Sequence, residues 1–400
     1  MGLRIIHVAD FHLGNRFVGL EGENVEEQRR ADMFRNLDII ASHAVEKNVD
    51  LVLISGDIFH KPTPSPIDFV KFSEFVGRLV RNNIYVVAIA GNHDKPKIAN
   101  MSTPIEGLIR AGVPRFYFFR TIPESPLMLD INGKKTCIVP IPYVDPNVLR
   151  ASGIGLSYER FLEREILRLR RKAERMDPQY KILMAHVMLS EAKVTKIPSL
   201  YIREVKIGSS ALREEFFDYV ALGHVHRPQR IGERIFYSGS IERMAFDEEH
   251  EKKSFIIAEL SEGKANVSMV ELPCRPMLTK RLRIETGSIS EFIEIIRGLE
   301  GIEPGSLLRL IITVRRTTWS TLEKAHPKVR EILLLEKKVL GFVIKNSYVD
   351  EKAPTILYRE ARLNLRAEIL RFIDSLRIEE NVKKRAKMLA EEIMDEVGIA

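Results

Sequence analysis

Two short motifs carry the chemistry most openly. Asp10-Phe11-His12 and Gly223-His224-Val225-His226 each place two metal-grade side chains one residue apart, and each directly follows an apolar run. Between them stand Gly56-Asp57, Gly91-Asn92-His93-Asp94 and a lone His186, each again at the end of such a run. Carboxylate, imidazole and amide oxygen together suit Mn²⁺, Fe²⁺, Co²⁺ or Zn²⁺, and the lack of cysteine argues against structural zinc. A two-ion site needs one bridging carboxylate, and Asp57, alone between the paired motifs, is the natural bridge. Two ions about 3.5–4 Å apart activate water and stabilise both the attacking and the leaving oxygen of an in-line phosphoryl displacement. The D-x-H and H-x-H spacings are expected to set both side chains on one side of an extended strand end. Gly56, Gly91 and Gly223 precede the ligands, where the backbone is expected to turn sharply.

Any one of these histidines alone reads as an ordinary core or surface residue. The set reads differently. Of ten histidines, six (His12, His60, His93, His186, His224 and His226) fall at or just past strand ends. His7, His43, His250 and His326 do not and are assigned no role, His7 being expected in the core.

The elements that must position these residues follow from apolar periodicity. Residues 3–9 and 51–55 and Ile84–Ala90 read as strands, with helices predicted from about Val25 to Lys47 and from Ser65-Pro66, a capping hydroxyl before a first-turn proline, to about Arg81. Further strands are predicted near 127–131, 135–141, 182–185 and 219–222, with a helix over Tyr158–Arg175. Strands near 234–238, 253–260 and 266–272 look like an antiparallel closing part. This order argues an α/β sandwich with buried sheets, and ligands then gather beyond the carboxyl ends of the strands. Three domains are expected: 1–273 holding the site, 274–351 reading strand–helix–strand–helix–strand, and 355–400 as two amphipathic helices after a linker at Lys352-Ala353-Pro354.

The bulk properties bound the function. No apolar run approaches the ~18 residues of a membrane span, so no membrane partner is expected. The start of the chain has no signal or myristoylation pattern, so a cytoplasmic protein is expected, or a nuclear one in a eukaryote. Cys137 and Cys274 form no framework and read as idle thiols. The net charge is +7, and residues 274–354 carry 15 basic against 10 acidic side chains, which points weakly to a polyanion there. Residues 355–400 carry nine of each, which argues against a nucleic-acid tail.

The order D-x-H, GD, GNHD, a lone H and GH-x-H resembles the calcineurin-like metallophosphoesterase pattern, with every member present. The stretches Ala9–Gly14, Gly56–His60 followed by Pro64-Ser65-Pro66, Ala221–His226 and Tyr237-Ser238-Gly239-Ser240-Ile241-Glu242-Arg243 resemble the SbcD nuclease family, which includes the meiotic-recombination-eleven nucleases. That resemblance spans residues 4–245; past 275 only the layout matches. It implies a four-layer β-sandwich flanked by helices, a small α/β capping domain and a C-terminal helical hairpin. It implies a nucleoid-associated enzyme that hydrolyses DNA phosphodiesters at double-strand ends, as exonuclease and endonuclease, with two Mn²⁺ per subunit (or Mg²⁺). Asp10, His12, Asp57 and His226 would take one ion, and Asp57, Asn92, His186 and His224 the other. His93 would serve the leaving group, Asp94 would orient it, and His60 would position the DNA end. A phosphoesterase acting on nucleotides or phosphoproteins is the alternative; it gives no reason for the later domains.

Other features carry less. Arg160, Arg164, Arg168, Arg171, Lys172 and Arg175 are spaced for one helix face, but Glu159, Glu163, Glu165 and Glu174 interleave, and a solvated face is the favoured reading. Arg315-Arg316 before Thr317-Thr318-Trp319 is the best candidate for phosphate contact, with a buried tryptophan beside surface arginines as the alternative. The tail stripes Leu365, Ile369, Phe372, Leu376 and Val382, Ala386, Leu389, Ile393, Val397 are too small to be well buried alone; the resemblance implies that they bind the coiled-coil base of an SbcC-type ABC ATPase. It also implies a homodimer through helices near 66–81 and 101–111, where Phe69, Phe72, Phe75, Val76 and Leu79 exceed one buried stripe.

Overall fold

The computed structural model describes residues 2–16, 19–96, 101–194, 205–261 and 264–349, and in the tail 370, 373–374 and 380–396. Residues Met1–Ser347 form one compact unit and Tyr348–Ala400 a second.

The chain opens with β1 (Leu3–Val8), α1 (Val25–Glu46), β2 (Leu51–Ile54), α2 (Pro66–Arg81), β3 (Tyr85–Ile89), α3 (Pro104–Arg110) and β4 (Phe116–Phe119). These four strands run parallel, with Ile5 beside Leu51, Leu51 beside Tyr85 and Val86 beside Phe116. Successive side chains point to opposite faces and both faces are covered, which is why the strands read as unbroken apolar runs. Ile6 and Val8 pack outward with Leu37 and Ile40 of α1 and Phe72 and Leu79 of α2. Leu3 and Ile5 pack inward against a second sheet. Ser65 caps α2 by accepting the Asp68 N–H at 3.4 Å, ahead of the first-turn proline.

The second sheet takes β5 (Leu127–Ile131), β6 (Lys134–Ile141), α4 (Pro146–Ala151), α5 (Tyr158–Glu174), β7 (Tyr180–His186), the short pair β8 (Met188–Leu189) and β9 (Lys206–Ile207), then β10 (Tyr219–Gly223), β11 (Gln229–Arg230) and β12 (Ile235–Tyr237). The short pair stands apart as its own ribbon; the six remaining strands lie in the order β11-β12-β10-β7-β6-β5. The chain then returns to the first sheet with the hairpin β13 (Lys253–Ser261) and β14 (Lys264–Leu272), β13 pairing antiparallel to β1. Ile182, Tyr219 and Phe236 of one sheet meet Leu53 and Val87 of the other, and α5 covers the outer face of the second sheet. The result is a helix–sheet–sheet–helix sandwich. One strand departs from expectation: β12 is parallel to β10, with Val220 beside Ile235, and only β11 runs against it.

A smaller α/β layer follows: β15 (Met277–Arg283), α6 (Ile289–Arg297), β16 (Leu307–Val314), α7 (Arg316–Leu322), α8 (His326–Glu331) and β17 (Gly341–Tyr348), the strands ordered β15-β16-β17. Arg275, at its entrance, donates to both carboxylate oxygens of buried Asp32 at 2.7 and 2.9 Å. Arg29, also buried, lies 3.1 Å from Glu242 and donates to the Arg243 carbonyl at 2.7 Å. These buried charges are paired and hydrogen-bonded, the condition for their burial. Trp319 is partly exposed and edge-on to Phe292, beside exposed Arg315.

In the tail unit, α9 (Glu380–Glu396) is the described helix; the first predicted tail helix and its stripe from Leu365 to Leu376 lie outside the described residues. Val382, Met388 and Leu389 on α9 are exposed. Among the described residues no helix is long and apolar enough to cross a membrane.

The stripe on α2 is corrected. Phe72, Phe75, Val76 and Leu79 are all buried in the chain's own core and Phe69 packs against it, so they leave no surplus for a partner. The exposed apolar groups of α2 are Ile67 and Val70. On α5 three of the predicted basic residues are engaged within the chain: Arg164 pairs with Glu165 at 3.2 Å, Lys172 donates to the Glu124 carbonyl at 2.6 Å, and Arg168 donates to Glu165 at 2.7 Å and to the Glu124 and Pro123 carbonyls at 2.7 and 2.8 Å. Burial pushes both thiols, Cys137 and Cys274, up to about 12, which keeps them inert.

Candidate metal centre

The segments that carry the predicted ligands leave the carboxyl ends of parallel strands from both sheets and meet at one rim. The two loops after β1 and β2 continue the strand pairing: Asp10 N–H donates to the Gly56 carbonyl and His12 N–H to the Asp57 carbonyl, both at 2.9 Å. The backbone there is not extended. Asp10, His12, Asp57 and His224 have φ of 54°, 45°, 53° and 93°, in the left-handed region that costs non-glycine residues of order 1–3 kcal/mol each. Four such residues converging in one cluster show that tertiary contacts impose the conformation, and the D-x-H pair is aimed by these turns, not by strand alternation. Of the preceding glycines only Gly56 needs a positive φ, of 95°. Gly91 and Gly223 answer to space: a Cβ on Gly91 would lie 2.1 Å from Asp57 Oδ1, and one on Gly223 2.0 Å from the Ser55 carbonyl oxygen.

Asp57 sits at the centre. Its Oδ2 lies 3.5 Å from His12 Nε2 and 3.5 Å from His186 Nε2, and its Oδ1 accepts the His93 N–H at 2.8 Å. On one side Asp10, His12 and His226 present donor atoms within 4.8 Å of one another; on the other side Asp57, His186 and His224 do the same. Asn92 Oδ1 joins the second group, 3.1 Å from both His186 Nε2 and His224 Nδ1. His12, His60 and His93 form a third group within 4.8 Å. All ten residues predicted for the site lie at this rim.

Hydrogen bonds fix which ring nitrogens are bare. His186 Nδ1 donates to the Ser55 carbonyl at 2.8 Å, so its Nε2 carries the lone pair in the neutral ring. His226 Nδ1 donates to Glu248 Oε1 at 2.9 Å, so its Nε2 is bare as well, and it faces His12 Nε2 at 3.0 Å. Two ring nitrogens facing each other at that distance suit a cation between them, and Glu248 behind His226 is the kind of outer partner that holds a metal-bound ring.

The electrostatics point the same way. Burial works against charge on His186, but Asp57 and Asp10 outweigh it and raise the ring to about 9, so positive charge is favoured there. Burial pushes His12 well down, which keeps it a neutral donor. Burial would also raise Asp57, yet His186, His12 and His93 hold its carboxyl well below the usual range. The donor set of carboxylates, neutral imidazoles and one amide therefore fits a pair of divalent ions.

One expected role changes. Asp94 does not touch the His93 ring. Its carboxylate accepts the backbone N–H groups of Gly91, Ile58 and Phe59 at 2.9, 3.2 and 3.1 Å, which ties the second and third ligand loops together. Burial and the nearby Asp57 push its carboxyl up to about 6. His93 is oriented instead by the His60 carbonyl, which accepts from Nδ1 at 2.9 Å, while the His60 ring stacks on it at 5.2 Å between centroids. His7 lies in the core, between the Tyr219 hydroxyl and the Leu222 carbonyl, each at 3.1 Å.

Glu248 escaped the sequence reading. It is one of four carboxylates among Asp247, Glu248, Glu249 and Glu251, and nothing in their order marks it. Buried Lys253 lies 2.7 Å from its Oε2, and that charge with His226 holds its carboxyl down against burial. Tyr143 was missed too; its ring lies parallel to His224 at 6.4 Å between centroids.

Comparison with known proteins agrees with this geometry. The chain is 27% identical over 306 residues to the DNA double-strand break repair protein Mre11 of Aeropyrum pernix, covering 75% of this chain and 68% of that protein. It is 27% identical over 334 residues to the SbcD component of the SbcCD nuclease of Escherichia coli, covering 78% of each. The enzyme is a phosphoesterase dependent on divalent metal. Residues 3–228 match the calcineurin-like phosphoesterases, and the chain belongs to that family.

Proposed function

We propose that this chain is a two-metal DNA nuclease that processes double-strand break ends, with Mn²⁺ as its working ion. The observation that carries the reading is the paired donor cluster centred on Asp57, in a chain whose similarity to two repair nucleases extends well past residue 228. A general phosphatase would need the cluster alone. Asp10, His12, Asp57 and His226 hold one ion, and Asp57, Asn92, His186 and His224 the other. Two ions so held supply Lewis-acid polarisation of the phosphate and a nucleophilic water at neutral pH. His93, anchored through Nδ1, transfers a proton at Nε2 to the leaving oxygen. His60, stacked on His93, positions the end of the strand.

The test is degradation of blunt linear duplex DNA against hydrolysis of p-nitrophenyl phosphate. Duplex cutting is expected with Mn²⁺, to vanish with a chelator and to return on adding Mn²⁺. Efficient turnover of p-nitrophenyl phosphate or a phosphopeptide, with the duplex left intact, would overturn the reading.

The Escherichia coli relative carries the name of one component of a nuclease, SbcCD. The exposed face of α9 with Val382 and Leu389 supports docking of an SbcC-type ATPase through residues 355–400, and exposed Ile67 and Val70 on α2 support a homodimer. Deleting 355–400 is expected to abolish ATPase binding and to leave both the dimeric sedimentation and the hydrolysis of a small phosphodiester unchanged. Retained ATPase binding would remove that partner assignment.

A further inference from the structure

The ligand His226 takes its orientation from a turn that the small sheet holds. Phe246–Glu248 is a single 3₁₀ turn between the site and strands β15 and β16. Its side chains divide between two neighbours. Glu248 points to the site: one oxygen accepts from His226 Nδ1 at 2.9 Å, and the other accepts the Met244 N–H at 2.9 Å and pairs with Lys253 at 2.7 Å. The residues around it point to the small sheet. Asp247 Oδ1 accepts from the Arg309 guanidinium at 3.0 Å. The same guanidinium lies 5.1 Å from the centroid of the Phe246 ring. Arg309 Nε donates to Thr279 Oγ1 at 3.0 Å, and that hydroxyl donates to Glu249 at 2.6 Å. Phe246 also packs with Met277 and Leu307.

We propose that Arg309 is a positioning residue of the metal centre, coupling the seating of the small sheet to the orientation of His226 through the 246–249 turn. This rests on the two-ion reading above. One arginine touches Phe246 and Asp247 and, through Thr279, Glu249, while the residue between them holds the ligand. A shift of β16 therefore pulls on both residues that flank Glu248. Outer partners of a metal-bound imidazole fix its tautomer and ring angle, and their loss typically costs 10–100-fold in metal affinity. The Arg309–Asp247 pair is 12% exposed on the arginine and 32% on the aspartate, and methionine in place of Arg309 keeps the apolar stem against Phe246, so the change should cost global stability little. Its loss should therefore register at the metal and not in the melting curve.

The experiment is calorimetric titration of Mn²⁺ into the full chain, with the electron spin resonance of the bound ions as a second readout. Glu248→Gln is expected to weaken one of the two ions by about 10–100-fold. Lys253 keeps Glu251 at 2.7 Å, so its charge remains paired. Arg309→Met and Asp247→Asn are expected to weaken the same ion by about 3–10-fold, a fraction of the direct effect. The other ion should be unaffected and the metal-free melting temperature should move by no more than about 3 °C. The double variant of Arg309→Met with Glu248→Gln should bind no more weakly than Glu248→Gln alone, because both act through one hydrogen bond. Unchanged Mn²⁺ affinity in both Arg309→Met and Asp247→Asn would overturn the proposal, as would losses that multiply in the double variant. If the unsubstituted chain takes up no Mn²⁺, the two-ion reading itself falls, and the two failures are thereby told apart.

Discussion

Replacing His93 with leucine is expected to leave two ions bound and to lower duplex cutting by about 10²–10⁴-fold, the usual worth of a positioned acid or base. The His93 backbone N–H, not its ring, contacts Asp57, at 2.8 Å, and that contact survives any side chain. The ring donates one hydrogen bond, to the His60 carbonyl, stacks on the His60 ring and packs edge-on against His12 at 4.7 Å between centroids, so its removal breaks no hydrogen bond to a predicted ligand, and leucine keeps apolar bulk against His12. Metal content by atomic absorption and turnover on a linear duplex check the two halves separately. Leucine in place of histidine with full nuclease activity would assign the proton transfer elsewhere. Loss of metal together with activity would make His93 a ligand.

Asp57→Asn is expected to do the reverse and remove the ions. Asparagine keeps the shape and retains an oxygen for the His93 N–H, so the loops should hold. What it lacks is the charge. Asp57 Oδ2 stands 3.5 Å from a ring nitrogen of each donor group. Burial disfavours positive charge on His186, and Asp57 is the main influence that raises that ring to about 9. With the charge gone, positive charge loses its stabilisation at the centre of the cluster. Metal-ion stabilisation is worth several kcal/mol, and about 4 kcal/mol corresponds to roughly a thousandfold in rate. Nuclease activity should therefore fall by about 10³-fold or more, with fewer than one ion retained per chain. Full occupancy in Asp57→Asn would show that the carboxylate is not the bridge.

Most of the site was legible because its residues sit where apolar runs stop. β1, β2, β3, β7 and β10 are covered on both faces, so their sequences are uninterrupted, and the first polar residue past each run marks the rim. Helix starts were legible where a capping hydroxyl precedes proline, as at Ser65-Pro66. What stayed hidden depended on contacts from distant parts of the chain. The left-handed turns at Asp10, His12 and Asp57 arise because neighbouring loops lock each other, and no local preference announces them. Gly91 and Gly223 look like turn residues in sequence, yet their lack of Cβ serves the close approach of another loop. Asp94 follows His93 directly but spends its oxygens on backbone amides brought from the loop after β2. Phe72 and Phe75 looked surplus on α2 because the width of the core beneath was unknown. Glu248 lies among similar carboxylates, and only the return of β13 to the first sheet shows which of them meets His226.

The most direct test is anomalous diffraction from a crystal loaded with Mn²⁺. The expected map has two manganese peaks about 3.5–4 Å apart with Asp57 between them, one against Asp10, His12 and His226 and the other against Asn92, His186 and His224. A single peak, or two peaks not joined by Asp57, would contradict the two-ion nuclease.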